Sequence, residues 1–162
     1  MWVCRAGKNA EYLKSFLNTS RIYLVWEGFD ADLSSFDDMD LFRELVIKEK
    51  ETDNKTSVSN WAGQLRAFSR DMNMGEYVLV PDACSQHFML AQIKCEYEYS
   101  ALTEVGFFHS RKVDIIAMNI PKKIFPQHIQ YGLRAYRTVY KVKNEEEILK
   151  IINLWREKER LS

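Results

Sequence analysis

Two groups of side chains have the types and spacing that chemistry needs. The first is Pro81-Asp82, followed ten residues later by Gln92-Ile93-Lys94. A metal-dependent nuclease would use Asp82 and a second oxygen ligand to hold Mg²⁺, with Lys94 positioning or activating water. Gln92 is a poorer ligand than a carboxylate, and no Glu lies on the apolar-periodic 58–72 stretch to complete such a site. The other reading of the same residues is a turn Asp after one strand and an outward Lys on the next. His87, His109 and His128 have no triad or metal-ligand spacing, and Cys84 beside His87 reads as incidental. Cys4, Cys84 and Cys95 form no C-x-x-C pair, and no Gly-rich phosphate loop or G-x-S-x-G element occurs. The residues therefore predict no catalysis, no cofactor and no metal.

The second group is aromatic and suits recognition. Phe, Tyr and Trp make up 13% of the chain. Trp26 ends an apolar run at Glu27-Gly28, where an indole sits at the rim of a sheet and can face either core or pocket. Trp2, Tyr97 and Tyr99 fall on other strand-like runs. An unpaired or extruded base stacks on such rings, gaining about 1–3 kcal/mol per base. Trp61 and Trp155 belong to helical apolar stripes and read as core.

The elements that must position these residues alternate in type. Strands are expected at 1–5 and 21–26, with a helix at 9–17 between them. Asp37 or Asp38 can cap a helix over 39–50. Val58, Trp61, Leu65, Phe68 and Met72 step by three and four, which predicts a helix closed by Gly75. Strands follow at 76–81, 87–99, 111–119 and 136–142, with Pro121 and Pro126 bracketing a short connection. A last helix runs over 144–160 on Ile148, Ile151, Ile152 and Trp155. This order predicts an α+β fold, a curved mixed sheet with helices packed outside it.

The 162 residues suit one domain. Net charge is zero, which excludes a global polycation, but the charges are unevenly spread. Residues 27–53 hold ten acidic and three basic side chains, a balance of −7. Residues 101–143 hold two acidic and eight basic, a balance of +6. These are either two solvated faces of opposite sign or one basic face able to meet phosphates, with His109, Arg111, Lys112, Lys122 and Lys123 as its backbone contacts. Free thiols, no leader-like start and no apolar run near ~20 residues predict a soluble cytoplasmic protein with no membrane partner.

In order and spacing, these motifs resemble the EVE and YTH domains of the PUA-like superfamily, most of all the EVE-like N-terminal domains of Mrr-type restriction endonucleases. The resemblance rests on residues 2–7 (WVCRAG), the unit from Tyr12 to Gly28, Gln64 with Phe68, MNMGEYVLVP (72–81), FMLAQIKCEYEY (88–99), and His109-x-Arg111-x-Val113. It covers roughly residues 1–142 and implies a PUA-like sheet curved into a barrel with peripheral helices. It implies a modified-base-binding domain over 1–143, and leaves 144–162 as a C-terminal helix leading towards a further domain. The family's strand-end pocket Trp corresponds to Trp26. The Arg5-Ala6-Gly7 turn corresponds to the segment bordering the pocket, and Pro81-Asp82 to its second wall. Asp82 is not aromatic, so the cage is either incomplete or completed by Tyr97 or Tyr99. The implied function is base flipping on duplex DNA carrying a methylated or hydroxymethylated cytosine or a methyladenine, as the specificity module of a restriction or anti-phage system. An effector nuclease or NTPase domain or subunit would be its partner. The alternatives are a methylated-RNA reader and the Asp82/Gln92/Lys94 nuclease.

Overall fold

The computed structural model describes residues 1–101 and 106–162. Seven strands make one sheet: β1 (Trp2–Cys4), β2 (Arg21–Leu24), β3 (Tyr77–Pro81), β4 (His87–Ile93), β5 (Glu98–Tyr99), β6 (His109–Pro121) and β7 (Val139–Lys141). Their order in space is β2-β6-β4-β3-β1-β7, with β5 paired to β6 off that path. Among the described pairs β1 and β3 run parallel and the rest antiparallel, so the sheet is mixed. Five α-helices accompany it: α1 (Leu13–Thr19), α2 (Met39–Lys50), α3 (Lys55–Arg66), α4 (Gln127–Gly132) and α5 (Glu145–Leu161).

The central strands are apolar on both faces because both are covered. Alternate residues of β1, β3 and β4 go to two separate cores. Trp2, Cys4, Val78, Val80, Met89 and Ala91 join Phe16, Phe42, Val46, Val58 and Leu65 from α1, α2 and α3. Met1, Val3, Leu79, Phe88 and Leu90 join Ile129 from α4 and Ile148 and Ile152 from α5. The 144–162 segment is thus packed into the same domain, and the Met1 ammonium holds Glu145 at 3.0 Å.

Curvature comes from β6, which is long enough to pair with β4 along one half and β2 along the other. Its register against β4 slips twice, between Phe88 and Leu90 and between Leu90 and Ala91, and Asn119 takes a φ of +55°. Extra residues of this kind bend a strand and increase its twist. The outcome is an α+β fold whose sheet curls into a half-barrel, with β2 and β7 at the two ends of its path.

Several expected boundaries move. The 87–99 strand breaks at Lys94 into β4 and β5, and the 136–142 strand contracts to β7. Helix α4 was not expected; six residues are too few to display a period. Gly75, at φ +89°, does not cap α3, which continues into a π-helical segment, Ala67–Asp71, that ends at Met72. Gly75 instead opens the β3–β4 pairing by donating its N–H to the Ile93 carbonyl at 2.8 Å. Asp38 caps α2 by accepting from the Asp40 N–H at 2.8 Å.

Candidate functional site

At the end of β2 the chain leaves the sheet through Val25 and Trp26, and before β7 it enters through Ala135 to Thr138. These two ends of the half-barrel meet where the Trp26 Nε1–H donates to Thr138 Oγ1 at 3.1 Å. The gap beside that bond is a cleft of about 610 Å³. Its walls are the Arg5–Glu11 turn, Val25 with Trp26, the Pro81–Ser85 turn, and Tyr136 with Thr138. Five residues singled out by the resemblance, Arg5, Ala6, Gly7, Trp26 and Asp82, therefore surround one space.

Trp26 is half-buried rather than a bare rim residue. Its ring packs edge-on against Trp61, with centroids 4.5 Å apart, and against Phe29 at 5.7 Å. Arg5 reaches across the opening. Its Nε and Nη2 donate to the Ala135 carbonyl at 3.2 and 2.7 Å, and Nη1 donates to Ser85 Oγ at 3.3 Å. Both acceptors are neutral, and no carboxylate among the described residues lies within 4.0 Å of the guanidinium. A cation held in place without a counter-charge suits a carbonyl or anionic edge of a ligand.

The turn after Arg5 needs glycine. Gly7 has φ +81°, and a Cβ there would overlap the Tyr12 ring. Asn9 and Ala10 follow with φ of +54° and +53°, a run of left-handed residues that costs of order 1–3 kcal/mol each for side-chain-bearing positions. The opposite wall is held by Asp82. Its Oδ1 accepts from the Gln86 and His87 N–H groups at 2.9 and 3.2 Å, and its Oδ2 meets His87 Nδ1 at 3.2 Å. The carboxylate is thus used in closing the β3–β4 turn.

That turn also settles the geometry of Asp82, Gln92 and Lys94. Asp82 is at the loop end of the β3–β4 hairpin, whereas Gln92 donates to the Gly75 carbonyl at its other end. His87 and Gln92 are five residue steps apart along β4, about 17 Å. Lys94 is paired with Asp114 at 3.0 Å. The three side chains of the nuclease alternative do not converge.

Tyr97 and Tyr99 do not line the cleft. Tyr97 is stacked on His109, and the Tyr99 hydroxyl donates to the Asp30 carbonyl at 2.7 Å. They pin the acidic 29–36 segment to the sheet. His109 is 1% exposed, so it cannot meet a phosphate as expected. Its Nε2 faces the Phe29 carbonyl and must carry the proton. Nδ1 then accepts from the Tyr97 hydroxyl at 2.6 Å, which in turn accepts from the Leu33 N–H at 3.1 Å. Every group is satisfied with a neutral imidazole, and burial pushes the His109 pKa down in agreement. Phe29 links this network to the site, because its ring is the one against Trp26.

Arg111 is likewise corrected. It is fully buried and cannot contact a nucleic-acid backbone. Its guanidinium donates to the Cys95 carbonyl through Nε and Nη2, and through Nη1 to Phe68 and Met72 carbonyls at 3.3 and 2.6 Å. It closes the C-terminal end of the π-helical segment that follows α3, where carbonyls lack helical partners. Lys112 is exposed, but opposite Arg21, at the end of β2 away from Trp26. Lys122 and Lys123 follow β6, where the Lys122 N–H donates to the Gln86 carbonyl near the Asp82 turn. Residues 102–105 of the basic stretch lie outside the described residues.

One site residue escaped the sequence reading. Tyr136 was expected within a strand, but it precedes β7 and is 99% exposed while lining the cleft beside Trp26. Alternation along 136–142 concealed it; an aromatic ring on a loop between two strongly basic neighbours, Arg134 and Arg137, was the available signal.

Among the described residues no helix is long and apolar enough to cross a membrane. No curated protein and no solved structure matches the chain. A family model described as "Domain of unknown function (DUF8426)" matches residues 2–143, and the chain belongs to that family.

Proposed function

We propose that this protein reads a modified base, extruded from nucleic acid into the Trp26 cleft, as an EVE/YTH-like module of PUA-like fold. The observation that carries the reading is the convergence of Arg5, Gly7, Trp26 and the Asp82 turn on one cleft, with the 99% exposed Tyr136 ring at its mouth. A volume of about 610 Å³ is within the range of small-ligand sites. The curled half-barrel sheet is compatible with the fold. The base stacks between Trp26 and Tyr136, and Arg5 meets its polar edge. Extrusion costs a few kcal/mol, which stacking and phosphate contacts must offset. A methyl group adds about 1–3 kcal/mol of discrimination, or 10- to 200-fold. In a restriction or anti-phage system such selectivity would direct an attached effector to modified DNA.

A binding panel of duplexes carrying methylcytosine, hydroxymethylcytosine or methyladenine, beside unmodified DNA and methylated RNA, tests this. One modified DNA should bind at least tenfold more tightly than its unmodified twin, and Tyr136→Ala should lower that affinity by about 1–3 kcal/mol without changing the melting temperature. Equal affinity across the panel would overturn the reading, and preference for the methylated RNA would reassign the nucleic acid.

A further inference from the structure

The cleft does not end at Tyr136. Trp26, Tyr136 and Thr138 also line a second depression of about 500 Å³ along α3. Asn60, Gln64, Ala135 and Arg137 carry it into a third, of about 630 Å³, that reaches Trp2 and Lys141. The three form one groove. One wall is the outer face of α3, with Thr56, Ser59 and Asn60 exposed and Gly63 between them and Ala67. A Cβ at Gly63 would meet nothing within 4 Å, so packing does not demand glycine there. The other wall is the chain from Ala135 to Lys141, fixed to α3 because Gln64 Oε1 accepts from the Thr138 and Val139 N–H groups at 2.9 and 3.1 Å.

Charge singles out the occupant. Of the six cations in the acid-free stretch 115–144, Arg137 and Lys141 line the groove. Arg137 is exposed and has no carboxylate within 4.0 Å among the described residues. Lys141 sits over the Trp2 ring, 5.4 Å from its centroid. The acids bordering the groove are already engaged. Asp71 holds Arg66 at 3.4 Å, and Glu76 accepts from Trp2 Nε1 at 3.2 Å and the Asn73 N–H at 2.6 Å. From Thr56 to Arg66 α3 is about 15 Å long, enough to lie against a short run of nucleotides.

We infer that this groove holds the sugar–phosphate strand flanking the extruded base. The backbone then runs along α3 and β7, past Arg137 and Lys141, and not over Lys112, Lys122 and Lys123. The inference rests on the base-reading proposal for the ligand's class and on the groove for its path.

The test measures affinity against salt for modified and unmodified oligonucleotides with wild type, Arg137→Ala, Gly63→Glu and the Lys122→Ala/Lys123→Ala double variant. Arg137→Ala should flatten the slope of log affinity against log salt by about 0.7–0.9 on both oligonucleotides. Gly63→Glu, a carboxylate placed in the groove at an unobstructed position, should weaken both by about tenfold. The preference for the modified base should survive in each, and the double variant should match wild type. If Arg137→Ala and Gly63→Glu match wild type while the Lys pair flattens the slope, the path is wrong although base reading stands. If the groove variants weaken binding but wild type never prefers a modified base, the path stands and base reading falls. No binding of any nucleic acid by wild type overturns both.

Discussion

Replacing Trp26 by Ala perturbs the site and the fold together, and the two effects can be separated. The ring contacts Trp61 and Phe29 and its N–H holds Thr138 across the seam. A fully buried Trp lost to Ala costs about 3–5 kcal/mol. Trp26 is half-buried, so its packing accounts for about half of that, and the hydrogen bond adds about 1 kcal/mol. The expected loss is about 2–4 kcal/mol, or a fall in Tm of about 4–16 °C for a domain of this size. Trp26→Phe keeps a stacking ring and loses only the bond and part of the packing, for about 1–2 kcal/mol. In binding, Trp26→Ala should lose a further 1–3 kcal/mol on modified DNA, while Trp26→Phe should retain most of the preference. Affinity for unmodified duplex should scarcely change, because phosphate contacts dominate that mode. The assay is a thermal melt of each variant beside fluorescence anisotropy on both duplexes well below the variant's Tm. If folded Trp26→Ala binds modified DNA as wild type does, the indole is a packing residue and the stacking argument fails.

Other consequences follow from the buried polar groups. Arg111→Met leaves the carbonyls of Cys95, Phe68 and Met72 without their donor; denaturant titration should show a loss of at least about 3 kcal/mol, and a loss below 1 kcal/mol would contradict the role given to it. His109 has its pKa lowered by burial, so its neutral form is favoured in the folded state. Its contribution is complete above the unfolded value near 6.5 and is lost as pH falls through the lower folded value. Tm should therefore drop between pH 7 and pH 5, and a His109→Gln variant should show a shallower drop; parallel curves would exclude His109 as the cause. Gly7→Ala forces a side chain onto Tyr12 at φ +81°, and should cost more than 1 kcal/mol while weakening modified-base binding; an unchanged melt would show that the turn can relax.

Much of the local structure was legible in the residues. The stripes of α3 and α5, the Asp38 cap and the apolar runs of β1, β3 and β4 follow from period and capping chemistry, which act over a few residues. The turn at Arg5–Gly7 was visible for the same reason, whereas Trp26, read at the end of a 21–26 strand, lies two residues past the end of β2 at Leu24. Features set by distant partners were not. His109 and Arg111 carry the side chains of a basic surface, yet Phe29 and Cys95 supply carbonyl acceptors that make their burial affordable.

The sequence by itself determined most of the helices and strands, with helices packed on a mixed sheet, and left the Asp82/Gln92/Lys94 spacing as its catalytic alternative. Only the tertiary structure decided that residue 136 joins residues 5–7, 26 and 82 around one cleft, because the curl of β6 brings the ends of β2 and β7 together. It also placed Tyr97 and Tyr99 outside that cleft and Tyr136 within it. Side-chain period records which way a residue points from its own strand. The path that the strand takes through space depends on bulges and pairings with residues far along the chain, which no local pattern encodes.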